Sequence, residues 1–488
     1  MTTMLDLKVS ELLKVTGGEL KQGDRLQKIR RISTDTRALQ KGDLFIALKG
    51  ERFDGYSFVK EAFKRGASGV VIQKAEHRST RAEEHQFKKE ASGVVVEKEN
   101  RQREEKKIII VVDDTLKALQ QIAKYHRRRF NLPVVAITGS TGKTTTKEIL
   151  SSLLGEKFLV LKTPENYNNE IGIPLTLLNL EKDHQVVVLE MAMRAKGEIR
   201  LLTEIAEPNL GLITNIGQSH RERLGSIADI AQAKGELLKS IGKGDIAVLN
   251  KDDLWLRRIS KKTKAKVIFY GIKNEAEVMA IRIQNLKEEG WRFNLKAKGY
   301  PTSSLSLPLL GEHNIYNALA ALSIALSLGL NLSLIKKALS NLRAVPARLE
   351  MLKEKGVIII NDTYNSSPAS LKNALLVLKE QIKGKRKIAV LGDMRELGEE
   401  AIKDHQEIGK IIAHLSLDFL LVVGDLAKFI AEGARLNKKI GIFLFQNNGQ
   451  IINKLRDIIC PGDAILVKGS RVMKMEEVVE GIATFCEC

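Results

Sequence analysis

The chain has 488 residues, 43% of them hydrophobic, enough for roughly three domains of about 150 residues, each with its own core. Lysine and arginine number 79 against 59 acidic residues, and the net charge of +20 suits anionic partners: nucleotides, acidic metabolites, nucleic acid or a membrane face. Three features narrow that list. No apolar run approaches the ~20 residues of a membrane-spanning helix. No basic stretch interleaved with aromatics marks a nucleic-acid surface. The cysteines Cys460, Cys486 and Cys488 lack zinc-ligand spacing, which leaves a reducing, cytoplasmic setting as the expectation. The start, MTTMLDLKVSELL, has no charged region followed by an apolar one, so no signal peptide is expected.

Residues 1–112 read as a small α/β unit. Helices are predicted at Val9 to Val15, ended by Gly17-Gly18, and at Phe58 to Lys64. Strands are predicted at 43–48, 69–72 and 108–112. The loop Ser33-Thr-Asp-Thr-Arg37 offers hydroxyls, one carboxylate and one guanidinium, fit either for a phosphate or sugar or for a capped turn. Residues 74–107 carry dense mixed charge and read as an inserted excursion. Within them Ala91-Ser-Gly-Val-Val95 copies Ala67-Ser-Gly-Val-Val71, with Phe63 and Phe87 in step, as a local duplication or a chance match would give.

Asp114-Thr115 caps a predicted helix, Leu116 to Phe130. Val134 to Leu150, VVAITGSTGKTTTKEIL, then lays out strand, glycine loop and helix. Gly139 and Gly142 free the backbone to turn toward an anion, and the helix start adds unpaired N–H groups. Lys143 supplies a charge for the β- and γ-phosphates and Thr144 a hydroxyl for Mg²⁺. The common motif G-x-x-x-x-G-K-[ST] would place its first glycine at Ile137, so this is a shorter variant. Strands predicted at 134–138, 186–190, 211–214, 246–249 and 267–270 alternate with helical patterns, the mark of a mostly parallel sheet with helices on both faces. Val278 to Ile283 and Trp291 to Ala297 alternate like antiparallel hairpin strands, and Gly311 to Leu328 reads as a helix. Past Pro346 a second α/β pattern begins, with strands at 357–361, 387–391, 419–423, 441–444 and 464–468.

Several residues fall at strand ends. Glu190 closes the strand 186–190, placed to hold Mg²⁺ or to be an ordinary strand-end carboxylate. His220 follows 211–214 and reads as a metal or substrate ligand or as a surface histidine. Lys234, by spacing alone, is an exposed helical lysine. Asn314 and Asn317 share a helix face, able to read a purine edge or to satisfy the core. Asp362 is placed for a ribose hydroxyl. Lys468-Gly-Ser-Arg471 is either an anion-binding loop or a basic turn.

The ordered set TGSTGKTTT (138–146), TPENYNNEIGIP (163–174), LEMAMRAKGEI (189–199), ITNIGQSH (213–220), AKGEL (233–237), GEHNIYNALAA (311–321), VPARLE (345–350), NDTYNSSPAS (361–370), LGDMRELGEE (391–400) and LVKGSR (466–471) resembles the bacterial Mur ligase family over nearly the whole chain. With the STDTR…GDLFIALKGERFDGY start, the last four motifs resemble most the branch that adds D-alanyl-D-alanine to UDP-N-acetylmuramoyl-tripeptide. That resemblance implies a UDP-substrate domain (1–112), a central ATP-binding ligase domain (113–345) and a C-terminal Rossmann-like domain (346–488). It implies catalysis by Lys143, Glu190, His220 and Lys234, and nucleotide binding by Gly139, Ser140, Thr141, Gly142, Lys143, Thr144 and Thr145. It further implies Asn314 and Asn317 at adenine, and Arg348, Asp362 and Asn365 at the phosphates and ribose. Two Mg²⁺ would be held by Thr144, Glu190, His220 and a carbamylated Lys234. Ser33, Thr34, Asp35, Arg37, Arg52, Asp54 and Gly55 would hold the UDP-sugar end, and Asn168, Asn169, Lys468, Ser470 and Arg471 the remaining substrate. A monomer without nucleic-acid or membrane partners is expected. Ala347 departs from the glycine that many relatives carry before the arginine. An amino-acid-adding Mur-type ligase and a folylpolyglutamate-type synthase are the alternatives within enzymes; a nucleic-acid-stimulated ATPase and a nucleotide-binding scaffold are those outside the family.

Overall fold

A computed structural model describes residues 5–50, 53–74, 107–217, 224–354 and 356–485. His220, Arg52, Cys486, Cys488 and the excursion from 75 to 106, with its repeat, lie outside the described residues. Two compact units divide the chain: Met1–Val134 with Leu161–Met191 and Leu201–Glu207, and Val135–Val160 with Ala192–Arg200 and Pro208–Cys488.

The first unit holds a five-stranded sheet in the order Glu19–Gln22, Ile108–Val112, Gly69–Gln73, Leu44–Ile46, Ile32–Ser33. Its strands run parallel except the antiparallel edge Glu19–Gln22. The inner strands GVVIQ and IIIVV are apolar on both faces, as strands covered on both sides must be. The edge strand ELKQ alternates exposed and half-buried positions with little apolar content, so periodicity does not reveal it. Helix Val9–Thr16 ends at Gly17, whose φ of 65° is the left-handed cap that glycine takes without strain. Helix Thr115–Arg127 starts where Asp114 accepts the Lys117 N–H at 2.9 Å, and it stops three residues before the predicted Phe130.

The second unit holds two sheets. In one, Val134–Thr138, Leu210–Ile213, Ile246–Asn250, Lys266–Gly271 and Val278–Asn285 pair in that order, all parallel. Trp291–Ala297 and Ser303–Leu307 then extend it as antiparallel strands, as the alternation around 278–297 predicts. The other sheet has the order Glu350–Glu354, Val357–Asp362, Ala464–Lys468, Lys387–Gly392, Phe419–Val423, Gly441–Phe445, parallel except for its first strand. Alternate residues feed two cores: Ile360, Leu466, Ala389 and Leu420 into one, Ile359, Ile465, Val390 and Leu421 into the other. Each large aliphatic side chain so buried contributes about 1.5–3 kcal/mol. The loops 139–142, 214–217, 363–367 and 469–470 leave the carboxyl ends of these parallel strands, the edge where open α/β sheets bind ligands.

Candidate active site

The strand Val134–Thr138 is buried along its length and delivers the chain into the glycine loop. Neither glycine could carry a side chain. A Cβ on Gly139 would stand 1.9 Å from Thr214 Oγ1, and one on Gly142 2.3 Å from Asn317 Oδ1. Gly142 takes φ 79° and hands the chain to helix Lys143–Gly155. The Thr146 N–H bonds Gly142 O at 2.9 Å, so Lys143, Thr144 and Thr145 form the first turn, ahead of that bond. The N–H groups of that turn, with the positive end of the helix dipole, suit a phosphate. The loop itself is committed elsewhere: the Ser140 N–H donates to Asn215 O at 3.0 Å and the Thr141 N–H to Asn215 Oδ1 at 3.1 Å. Two backbone donors of the glycine turn are thus engaged by Asn215.

Two lysines converge on one carbonyl. Lys143 Nζ donates to Gly139 O at 2.9 Å and Lys234 Nζ to the same oxygen at 3.0 Å. Lys234 ends the helix Ile227–Lys234 and is 1% exposed, where spacing alone reads an exposed lysine. The helix turns this residue inward, and a seven- or eight-residue pattern rich in alanine carries no sign of it. Burial, and then the neighbouring Lys143 charge, hold the Lys234 amine well below its usual pKa.

Glu190 is 3% exposed at the end of its strand. Its Oε1 accepts Asn168 Nδ2 at 2.9 Å, and its N–H donates to Thr163 Oγ1 at 2.9 Å. Asn169 accepts the Ile171 and Gly172 N–H groups at 3.2 and 2.9 Å, capping the turn that follows. Asn314 and Asn317 are buried in helix His313–Ser327. Asn314 Nδ2 donates to Leu310 O at 2.6 Å, Asn317 Nδ2 to Asn314 Oδ1 at 2.8 Å, and Thr146 Oγ1 to Asn317 Oδ1 at 3.3 Å. These carboxamides key their helix onto Gly142 and Thr146.

Arg348 reaches the first turn of helix Lys143–Gly155. Its Nη2 donates to Thr144 Oγ1 at 3.0 Å while its guanidinium stacks 4.0 Å from the Tyr364 ring centroid. On either side, Ala347 and Leu349 take φ 57° and 50°, left-handed conformations that β-carbon residues seldom adopt. Behind Arg348, Asp362 Oδ1 accepts the Leu349 N–H at 3.2 Å and Oδ2 pairs with Lys468 Nζ at 2.5 Å. Lys468, 2% exposed, also donates to Asn365 O at 2.8 Å, so its ammonium is occupied inside the protein. Ser470 Oγ accepts the Arg395 N–H at 2.8 Å, and exposed Arg471 pairs with Glu476 at 3.0 Å.

In the first unit a cavity of about 770 Å³ is lined by Thr34, Asp35 and Arg37 of the predicted loop together with Asn166, Tyr167 and Asn169. Its volume suits a small-molecule ligand. Phe45, Leu48, Phe58, Leu116 and Leu175 add apolar walls. Ser33 Oγ accepts the Asp35 N–H at 3.2 Å and, through its own hydrogen, donates to Asp35 O at 2.9 Å, which shapes the loop. Asp35 in turn accepts Arg37 on both oxygens, and that pairing holds its carboxyl below the usual carboxylate range. Asp54 caps the turn Gly55–Phe58 through the Tyr56 N–H at 2.9 Å, and a Cβ on Gly55 would meet Leu48 O at 2.6 Å. Tyr167, exposed at the cavity, is a residue that sequence reasoning misses; its place in TPENYNNEIGIP beside the two asparagines is the available signal.

Three family models match the chain in succession: the Mur ligase family catalytic domain over residues 28–127, the Mur ligase middle domain over 137–325 and the Mur ligase glutamate ligase domain over 347–471. The UDP-N-acetylmuramoyl-tripeptide–D-alanyl-D-alanine ligase of Bacillus subtilis (strain 168) is 37% identical over 457 residues, 93% of each protein. A crystal structure of MurF from Acinetobacter baumannii superposes with a TM-score of 0.84 at 32% identity, covering 99% of this chain and 100% of that one. The MurF ligase of Thermotoga maritima in complex with ADP gives a TM-score of 0.79 at 31% identity, covering 94% and 98%. With its glycine loop, its buried lysine, all three domain models in order and relatives 37% identical over 93% of the chain, the chain belongs to the Mur ligase family.

Proposed function

We propose that the protein joins D-alanyl-D-alanine to UDP-N-acetylmuramoyl-tripeptide with hydrolysis of ATP to ADP and phosphate, forming the pentapeptide precursor of peptidoglycan. The observation that carries this reading is the near-complete coverage by relatives of that one activity, 93% of each protein in the B. subtilis case. The alternatives have weaker support. A folylpolyglutamate synthase of Mycobacterium tuberculosis shares the fold at 17% identity, which speaks to architecture alone.

In this reading a carboxylate oxygen of the tripeptide attacks the γ-phosphorus, and ADP leaves. The dipeptide amine then attacks the acyl carbon, loses a proton, and phosphate departs. Lys143 and the first turn of its helix hold the phosphates and offset the charge that gathers on the transferred group. Arg348, braced on Tyr364 and fixed through Leu349 and Asp362, adds a second cation at Thr144. The oxygen donors Thr144, Glu190 and a carbamate on Lys234 are of the chemical kind that Mg²⁺ prefers, His220 is assigned as a nitrogen donor beside them, and the ion would supply further charge neutralisation. The lowered pKa of Lys234 favours the free amine that carbamylation requires. Asn314, Asn317, Asp362 and Asn365 are assigned to the nucleoside, the cavity residues Thr34, Asp35, Arg37, Asn166 and Tyr167 to the UDP-sugar end, and the boundaries 1–112, 113–345 and 346–488 to the three domains.

The test is ADP release from the full chain with UDP-N-acetylmuramoyl-tripeptide, with and without D-alanyl-D-alanine, against lysine, diaminopimelate and glutamate as acceptors. Turnover that depends on the dipeptide is expected. Equal turnover with a single amino acid in its place overturns the assignment.

A further inference from the structure

Gly139 and Gly142 give the phosphate loop its shape and also deprive it of intrinsic stiffness, because glycine has the widest choice of backbone conformations. The segment Thr214–Gly217 restores that stiffness. The Thr214 N–H donates to Thr138 O and the Ser140 N–H to Asn215 O, both at 3.0 Å, so the parallel ladder runs one step past the ends of its strands. Asn215 then turns its carboxamide onto Thr141. Its Oδ1 accepts the Thr141 N–H at 3.1 Å, and its Nδ2 donates to Thr141 O at 3.1 Å. One side chain thus binds both polar groups of one residue's backbone, as a neighbouring strand would. Gly217 and Ser140 bond reciprocally, N–H to Oγ at 2.8 Å and Oγ–H to O at 3.2 Å. Thr214 Oγ1 donates to Thr141 O at 2.6 Å. The far side of the segment is anchored: Tyr270 OH donates to Thr214 O at 2.9 Å, and Asp253 Oδ2 accepts the Ile216 N–H at 2.7 Å.

We propose that Asn215 is a positioning residue for nucleotide binding, clasping the Thr141 backbone so that the N–H groups opening helix Lys143–Gly155 are fixed before the phosphates arrive. The inference rests on the reading of this loop as the ATP site. Only a carboxamide serves, because the clasp needs a donor and an acceptor side by side. Aspartate keeps the shape but sets a negative charge against a carbonyl and beside the phosphates. Leucine keeps the volume and offers neither group.

The experiment compares Asn215→Asp and Asn215→Leu with the unaltered full chain. It measures ADP formation with ATP, UDP-N-acetylmuramoyl-tripeptide and D-alanyl-D-alanine each varied, ADP affinity by calorimetry, and the melting midpoint. Loss of both clasp bonds in Asn215→Leu, and in Asn215→Asp of the bond to Thr141 O with a charge set against that carbonyl, is expected to raise KM for ATP and weaken ADP binding on the order of tenfold in each variant. KM for the UDP-substrate should stay within about twofold, since removal of a group that touches neither substrate leaves uniform binding intact. An ATP KM and ADP affinity matching the unaltered chain in either variant overturns the proposal. So does a fall in melting midpoint with all three KM values raised together, the pattern of a purely structural residue. If Asn215→Leu does not fold, the isosteric Asn215→Asp decides alone. An unaltered chain that forms no ADP refutes the ligase reading, and the calorimetric comparison then still decides the role of Asn215.

Discussion

Breaking the Asp362–Lys468 pair is expected to loosen the C-terminal sheet and Arg348 together. The two side chains are 12% and 2% exposed and meet at 2.5 Å. Lys468→Met leaves the Asp362 carboxylate in the interior with the Leu349 N–H, 3.2 Å away, as its remaining described hydrogen-bond donor. Asp362→Asn leaves the ammonium with Asn365 O and a neutral amide. Removing one member of a buried pair strands the other charge and costs about 3–5 kcal/mol. Changing both at once removes the charges and keeps an amide oxygen for the Leu349 N–H, so the double variant should recover to within about 1–2 kcal/mol of the original. The coupling between the sites is then roughly 4 kcal/mol or more. Because a chain of several domains need not unfold in one step, the measurement is hydrogen exchange on Val357–Asp362 and Ala464–Lys468, which reports local opening free energy. Turnover should fall in Lys468→Met, since Asp362 holds the Leu349 backbone next to Arg348. Single variants that each cost under about 1 kcal/mol, or a double variant no better than the worse single, would refute the reasoning.

Three further outcomes are expected. Ala347→Gly should stabilise the chain by up to about 1 kcal/mol, because an L-residue at φ 57° carries a steric cost of about 1–2 kcal/mol that glycine's flexibility only partly offsets; a lowered denaturant midpoint would contradict this. His126 is buried, hydrogen-bonds Leu180 O at 2.9 Å, and is pushed down to about 4 by burial. The unfolded chain therefore takes the proton first, and stability present above pH 6.5 is lost as pH falls toward 4, by roughly 3 kcal/mol in full. His126→Gln should flatten that acid limb in urea titrations, and identical limbs would reject it. Lys143→Ala should abolish ADP release while leaving the fold intact by circular dichroism; near-normal turnover would remove the phosphate loop from the mechanism.

The strands, the glycine loop with its lysine and threonine, and the ordered motifs were determined by the sequence itself. Their signals are local: runs such as IIIVV and VVAIT are short, apolar and rich in β-branched residues, which marks buried strands, and a glycine flanked by strand and helix has few uses. Polar edge strands such as Glu19–Gln22 escaped because their stability comes from a neighbour's ladder and not from their own side chains. Tertiary structure decided which charged residues are free to act. Lys234 reads by spacing as an exposed helical lysine and Lys468 as part of an anion-binding loop or a basic turn, yet one is buried against Gly139 O and the other against Asp362. Asn215 read as part of a loop, and only the approach of two strand ends turned its carboxamide onto Thr141. Spacing along the chain reports which face of an element a residue occupies, whereas pKa, pairing and the reach of a side chain depend on what the fold brings to that face from far away in sequence.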